Sequence, residues 1–305
     1  MNQNKTKGLL FAILGSVLWG GSGTAAQFVF HHQSIDPIWL VGVRLLTAGS
    51  LLIVYSFLKN GRKIFTIFYT KSNILWLILF ALLGMVPSQL TYFLAIKFGN
   101  AATATILQFM GPLFIILALA VGSRTLPRRI DVISILVALI GTLLLVTKGN
   151  LGSLALAPLA VSWGLMAGVG QANYTLIPRR LLKNFDASLV TGWAMLIGSI
   201  PFAKIIITNR PASIDPASIL LIVYIIVGGT MLSYLFYLSS LNYLKPDTTG
   251  MLSSFEPLTA TLLSILLLGV HFGLAETIGG LLILTTAFLQ ALPTKKKDCL
   301  IKMHY

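Results

Sequence analysis

Charge is scarce in this chain. Only 10% of its 305 residues are Asp, Glu, Lys or Arg, against about 25% in an ordinary soluble domain, and 56% are apolar. A water-soluble fold is excluded. Cysteine is reduced to Cys299, so no internal disulfide and no C-x-x-C pair can form, and its place in the tail makes no prenylation box. A Walker-type G-x-x-x-x-G-K-S/T loop, an H-E-x-x-H pair and a G-x-S-x-G elbow are all missing, which removes the sequence basis for ATP-driven, metalloprotease or nucleophile-elbow chemistry. The expectation is a non-enzyme without cofactor. His31 and His32, expected in one loop, His271 in another and His304 in the tail have no Cys or carboxylate at ligand spacing, so no metal site is expected either. Acidic residues number eight against 22 Lys and Arg, a net charge of +14. In a soluble protein this would point to nucleic acid; here the basic residues lie between apolar runs and speak of orientation in a bilayer, so no nucleic-acid partner is expected.

What fills the chain is long apolar runs. Ten can be drawn: 8–28, 37–58, 73–96, 101–122, 131–147, 152–174, 187–207, 217–242, 247–269 and 275–292. Each approaches the roughly 20 residues a helix needs to cross hydrocarbon. They are too long and too evenly apolar for barrel strands, and lipid requires each segment to satisfy its own backbone amides. The first run continues through Phe30, too far for a signal-peptide core. With the N-terminus placed in the cytoplasm, seventeen loop or tail lysines and arginines fall inside, and only Lys97, Lys148 and Arg210 fall outside. That bias predicts ten spans with both termini cytoplasmic. The tail lysines Lys295, Lys296 and Lys297 read as an inside anchor touching anionic lipid.

The chain also repeats itself at half length. Trp19-Gly20 is matched by Trp163-Gly164, and Tyr92, Phe98, Thr103 and Pro112 recur as Tyr237, Tyr243, Thr248 and Pro257 at one offset of 145; Asp36 and Gly42 are matched by Asp186 and Gly192 across a small insertion. Each half holds five spans. Five is odd, so the second half must enter the membrane from the opposite side, as in carriers that work by alternating access. The expected organisation is a first five-helix repeat at 8–147, an inverted second repeat at 152–292 and a basic cytoplasmic tail at 293–305.

These features resemble the drug/metabolite transporter superfamily, in particular its bacterial ten-helix EamA-type branch. The resemblance is carried by Trp19-Gly20, Asp36-Pro37 leading to Arg44, Tyr92-Phe93-Leu94-Ala95 leading into Ala101-Ala102-Thr103-Ala104, Pro112, and Glu256-Pro257, and it extends from about Gly8 to Leu292. It implies an all-α integral membrane carrier in the cytoplasmic membrane, moving a small organic metabolite without ATP, often exporting amino acids or related compounds. The family often places an acid just before the last helix of each half; Glu276 fits, whereas the first half presents the basic stretch from Arg124 to Arg129.

Polar groups inside the runs are the candidate site, because they are expensive in lipid. Gln89 and Tyr92 stand at i and i+3, as do Tyr234 and Tyr237, so each pair shares a helix face; they read as facing cavity walls or as interfacial anchors. Pro112 and Pro257 cannot donate to the carbonyls of Gln108 and Ser253, which makes both prolines candidate hinges and both carbonyls candidate ligands for substrate or water. The alternative is a kink re-satisfied by Thr105 or Ser254. Glu256, the only acid in the interior of a run, lies about 15 Å deep at helical rise. It is the candidate coupling residue, exchanging a proton for an amino or cationic group, or else a hydrogen-bonded glutamate that shapes the Pro257 break. Arg44 can neutralise a substrate carboxylate, pair with Glu256, or snorkel to the outer interface, and an anchoring or folding role is preferred from its nearness to a span end. Trp19 and Trp163 either line the cavity or pack the repeat interface. Gly164 and Gly168 form a close-packing G-x-x-x-G pair, internal or between protomers of a homodimer. The expected partners are therefore a small-molecule substrate, lipid and, for coupling, protons. Uptake of a sugar, nucleoside or cationic drug-like compound is the alternative transport reading. A lipid-modifying enzyme would need a polar catalytic cluster, and a non-transporting scaffold a longer loop than Lys59 to Ser72.

Overall fold

A computed structural model describes residues 3–33, 35–124, 129–150, 156–211, 213–244 and 246–290. Among them the regular structure is helical throughout, with no strand. The tail lysines and Cys299 lie outside the described residues. The first half comprises α1 (Gln3–His32), α2 (Pro37–Asn60), α3 (Lys71–Leu79), α4 (Val86–Phe98), α5 (Ala101–Gln108), α6 (Gly111–Ser123) and α7 (Arg129–Thr147). The second comprises α8 (Pro158–Leu176), α9 (Ala187–Ser199), α10 (Ala203–Thr208), α11 (Pro216–Ile226), α12 (Ser233–Ser240), α13 (Pro246–Leu252), α14 (Phe255–Leu268) and α15 (Leu274–Gln290).

Among the described residues, eight stretches are long and apolar enough to cross a bilayer: Lys5–His32, Pro37–Tyr69, Lys71–Phe98, Ala101–Gly122, Arg129–Thr147, Ala187–Thr208, Pro216–Ser240 and Thr248–Leu268. Helices also occupy the expected sixth and tenth positions, but α8 is diluted by Gln171, Asn173 and Thr175, and the apolar part of α15, Leu274–Thr286, is short. Starts are written locally. Asp36 accepts the Ile38 N–H at 2.8 Å ahead of Pro37, Asn100 accepts the Thr103 N–H at 2.8 Å, and Asp215 accepts the Ser218 N–H at 2.8 Å ahead of Pro216. All three are side-chain caps, and those at Asp36 and Asp215 are followed by proline at the first helical position. Outward faces are apolar; on α7, Val132, Leu136, Leu139 and Leu143 are all exposed, a surface suited to lipid.

The two halves pack reciprocally. Helix α1 lies against α12 and α14 of the second half, while α8 lies against α4, α5 and α6 of the first; α2 pairs with α9, and α7 with α15. The pairs α1 with α12, α4 with α8, α2 with α9 and α7 with α15 run antiparallel. Phe11 stacks on Phe236 at 5.7 Å at one end of α1, and Gln33 binds Asp215 at the other. Asn60 reaches Asp186 at 3.1 Å while Asn209 reaches Asp36 at 3.4 Å.

Three features depart from the sequence reading. First, the third and eighth spans each contain a π-helical turn, Phe80–Met85 and Val227–Leu232; in the latter, Thr230 Oγ1 and Ser233 Oγ donate to the carbonyls five residues back, at 2.8 and 2.7 Å. Second, the first half does carry the acid matching Glu276. Asp131, 145 residues earlier, lies in the first turn of α7 just past the basic stretch, and both acids are 4% exposed at a helix start, where the helix dipole favours them. Third, His31 and His32 belong to the last turn of α1, not to a loop.

Candidate functional site

The fourth and ninth spans break at equivalent places, Phe109–Met110 between α5 and α6 and Ser253–Ser254 between α13 and α14, each just before its proline. A cavity of about 720 Å³ lies beside both breaks, walled by both halves, within the size range of small-molecule sites. Trp19 of α1, Gln89 and Tyr92 of α4, Gln108 of α5 and Pro112 of α6 line it from the first half. Tyr234 and Tyr237 of α12, Ser253 in the break and Glu256 of α14 line it from the second. Trp19 meets Tyr234 edge-on with centroids 5.1 Å apart, and Tyr237 at 5.2 Å. The Tyr92 hydroxyl is 2.9 Å from Thr105 Oγ1, which donates to the Ala101 carbonyl at 2.6 Å. Tyr92 fits because Gly23 has no Cβ, which would collide with that hydroxyl.

Arg44 also lines the cavity, and the snorkelling reading is overturned: the side chain is 4% exposed. Its Nε donates to Thr230 Oγ1, its Nη2 donates to the Gly229 carbonyl at 3.2 Å, and its guanidinium lies 5.0 Å from the Phe93 ring centre. The π turn supplies these acceptors, which is why the arginine stays in the bundle. Arg44 and Glu256 line one cavity without forming an ion pair within 4.0 Å.

Of the expected binding residues, Trp163 does not reach the cavity. Trp163 sits about two turns before Gln171, where the cavity-facing part of α8 begins, and packs against the apolar core instead. The candidate hinge Pro257 is buried and does not line the cavity. The Ser253 carbonyl, expected to be short of a partner, accepts the Glu256 N–H at 2.9 Å in a tightened turn. Gly164 and Gly168 serve internal packing: a Cβ at either would crowd Leu107 of α5 or Phe114 of α6, at 2.6 and 2.9 Å.

The sequence reading missed Gln171, Tyr174, Thr175 and Thr191, which complete the wall from α8 and α9. The hydroxyls of Tyr174, Tyr234 and Thr191 lie together, and Gln89 reaches Tyr234. The available signal was the polar interruption Gln171 to Thr175 at the end of the sixth run. From this middle the cavity extends to Arg179, Leu182 and Leu241, all exposed. On the opposite side the bundle is shut, with Gln27 Oε1 accepting the Ala101 N–H at 2.7 Å and Lys97 Nζ donating to the Phe30 carbonyl at 3.0 Å.

Residues 6–147 and 158–292 each match the profile of the EamA-like transporter family. An uncharacterized inner membrane transporter of Salmonella typhimurium, YicL, is 38% identical over 295 residues, covering 95% of this chain and 97% of its own. An uncharacterized transporter of Archaeoglobus fulgidus is 24% identical, covering 94% of this chain and 98% of its own. One solved crystal structure superposes with a TM-score of 0.61 at 20% identity over 93% of this chain and 96% of that one, a likeness of fold.

Proposed function

The chain belongs to the EamA-like transporter family, a multi-pass membrane protein, and from that premise we propose that it is a secondary carrier moving a small organic metabolite through the central cavity by alternating access. The observation that carries the reading is one cavity walled by matched residues of both halves, Tyr92 with Tyr237 and Gln108 with Ser253. The halves 8–147 and 152–292 act as inverted copies in the inner membrane, with both termini and the 293–305 tail cytoplasmic; the antiparallel pairing of α2 with α9 and of α7 with α15, and the basic bias of one face, support this. The cavity then opens to the cytoplasm, which suits export of an amino acid or a related compound.

In this reading Trp19, Gln89, Tyr92, Gln108, Tyr234, Tyr237 and Ser253 hold the substrate, and the breaks before Pro112 and Pro257 act as hinges. Glu256 is the coupling group, facing Arg44 and the hydroxyls of Tyr92, Tyr234 and Tyr237. Purified protein in proteoliposomes loaded with amino acids chosen by thermal-shift screening tests the proposal. A carrier shows uptake of labelled compound stimulated by unlabelled compound on the far side, and flux indifferent to it would mean a pore. Glu256→Gln should abolish the pH dependence of that flux; an unaltered dependence removes the coupling role.

A further inference from the structure

Arg44 is held by two of its three nitrogens. A guanidinium is a rigid planar fork of five N–H donors. Here Nε is fixed on Thr230 and Nη2 on the Gly229 carbonyl, while the Phe93 ring covers one face. The π turn at Val227–Leu232 thus sets the plane of the fork. Nη1 is buried and has no acceptor. A buried cationic donor left without a partner is strongly unfavourable, and no protein group fills the place. Tyr92, Tyr234 and Glu256 are the groups that act on this charge, yet none of them accepts a hydrogen bond from Nη1.

We infer that Arg44 Nη1 is the recognition point for an anionic oxygen of the substrate, which is a small amphipathic carboxylate. This rests on the carrier reading only in taking the central cavity as the substrate site. The carboxylate accepts from Nη1 at the wall formed by α2 and the α11–α12 turn, and the body lies against the ring cluster of Trp19, Tyr234 and Tyr237. A monoanion fits better than a phosphate dianion, because Arg44 offers one unsatisfied nitrogen and the carboxyl of Glu256 shares the cavity. Arg179 at the exposed end adds positive charge along the route inward, which raises the local concentration of anions. Arg44 is thereby a specificity-determining residue, and the bulge on which it rests is its positioning element.

Three probes of similar bulk separate the alternatives on the full chain in detergent: 3-phenylpropanoate, 3-phenylpropanamide and phenylalaninamide, read by thermal shift and tryptophan fluorescence. A hydrogen bond to a charged group corresponds to a preference of about tenfold to a hundredfold, so the carboxylate should bind at least about tenfold more tightly than its amide. Loss of the fluorescence change in Trp19→Phe would place the probe in this cavity. Arg44→Gln should make the acid and amide bind alike, and Arg44→Lys should lower the preference several-fold. If Arg44→Gln does not fold, the wild type and Arg44→Lys decide. Equal binding of acid and amide to the wild type, binding of neither, or a preference that survives both substitutions overturns the inference. So does tighter binding of phenylalaninamide than of the carboxylate, which would make recognition cationic. None of these measurements involves transport, so a protein with the carboxylate preference but no counterflow refutes the carrier reading alone, and the converse refutes this inference alone.

Discussion

At the residue scale the matched Trp-Gly pairs do unequal work. A Cβ on Gly20 would strike the Glu256 carbonyl and stand 3.0 Å from the Ala260 nitrogen, so α1 rests directly on the backbone of α14 beside the cavity. The atoms nearest a Cβ on Gly164 belong to the side chain of Leu107, the closest at 2.6 Å. Backbone cannot yield, whereas a leucine can change rotamer. Gly20→Ala should therefore destabilise the protein by about 1–3 kcal/mol, the usual range for overpacking, and Gly164→Ala by clearly less; equal falls in melting temperature in detergent would contradict this. Thr230 offers a second comparison. Its hydroxyl accepts from Arg44 Nε while donating to the Ile225 carbonyl at 2.8 Å. Thr230→Val keeps the shape but removes that acceptor, at a cost of about 1–3 kcal/mol for the buried donor left behind. A valine variant as stable as the parent would show that Arg44 does not depend on the bulge.

At the element scale the last helices of the two halves approach at paired glycines. A Cβ on Gly141 would lie 2.7 Å from the Gly279 carbonyl, and a Cβ on Gly279 would lie 2.5 Å from the Gly141 carbonyl. Lys148 adds an ion pair to Glu276 at 3.1 Å where α7 ends beside the start of α15. Gly141→Val should force the pair apart and lower the melting temperature, while Gly122→Ala, with nothing within 4 Å of the new Cβ, should leave it unmoved. Helices α2 and α9 also meet at glycines, a Cβ on Gly49 standing 3.0 Å from the Leu196 nitrogen, and polar contacts at their ends add to this, Lys59 pairing with Asp186 at 3.2 Å. Hydrogen bonds from Asn60 and Lys59 hold the Asp186 carboxyl below its ordinary range. A carboxylate whose folded value is depressed adds stability above the unfolded value of about 3.9 and loses it as pH falls through the folded value. Asp186→Asn should therefore flatten the acid side of the stability profile below about pH 4 and leave no pH-dependent difference near neutrality; an unchanged acid limb would mean that the contact adds nothing.

For the whole molecule, much of the architecture was legible because lipid imposes helices and duplication marks equivalent positions. Tyr92 and Tyr237 stood out as polar groups inside apolar runs, and both line the cavity. The π turns were invisible, since one extra residue barely disturbs a uniformly apolar run; only Gly84, Gly228 and Gly229 mark them. Tyr174 and Thr191 were missed because their meeting with Tyr234 joins the consecutive helices α8 and α9 to the distant α12, and each lies near a span end where polar residues are unremarkable. The choice between cavity and packing for Trp19 and Trp163 was illegible for the opposite reason: duplication equates the two, but a bundle open on one face gives the two copies different surroundings. That asymmetry can be tested directly. The open end carries Leu182 and Leu241 beside Arg179, Arg180 and Lys183, while Gln27 and Lys97 close the other end. With basic residues retained on the cytoplasmic side, a thiol at position 253 in the cavity wall should be reached from the cytoplasm. In a Cys299→Ser background, Ser253→Cys should react with a membrane-impermeant thiol reagent in inside-out vesicles and stay unlabelled in right-side-out ones. Labelling only from the outside would reverse the orientation of the whole bundle, and equal labelling from both sides would show a continuous pore where the contacts of Gln27 and Lys97 place a barrier.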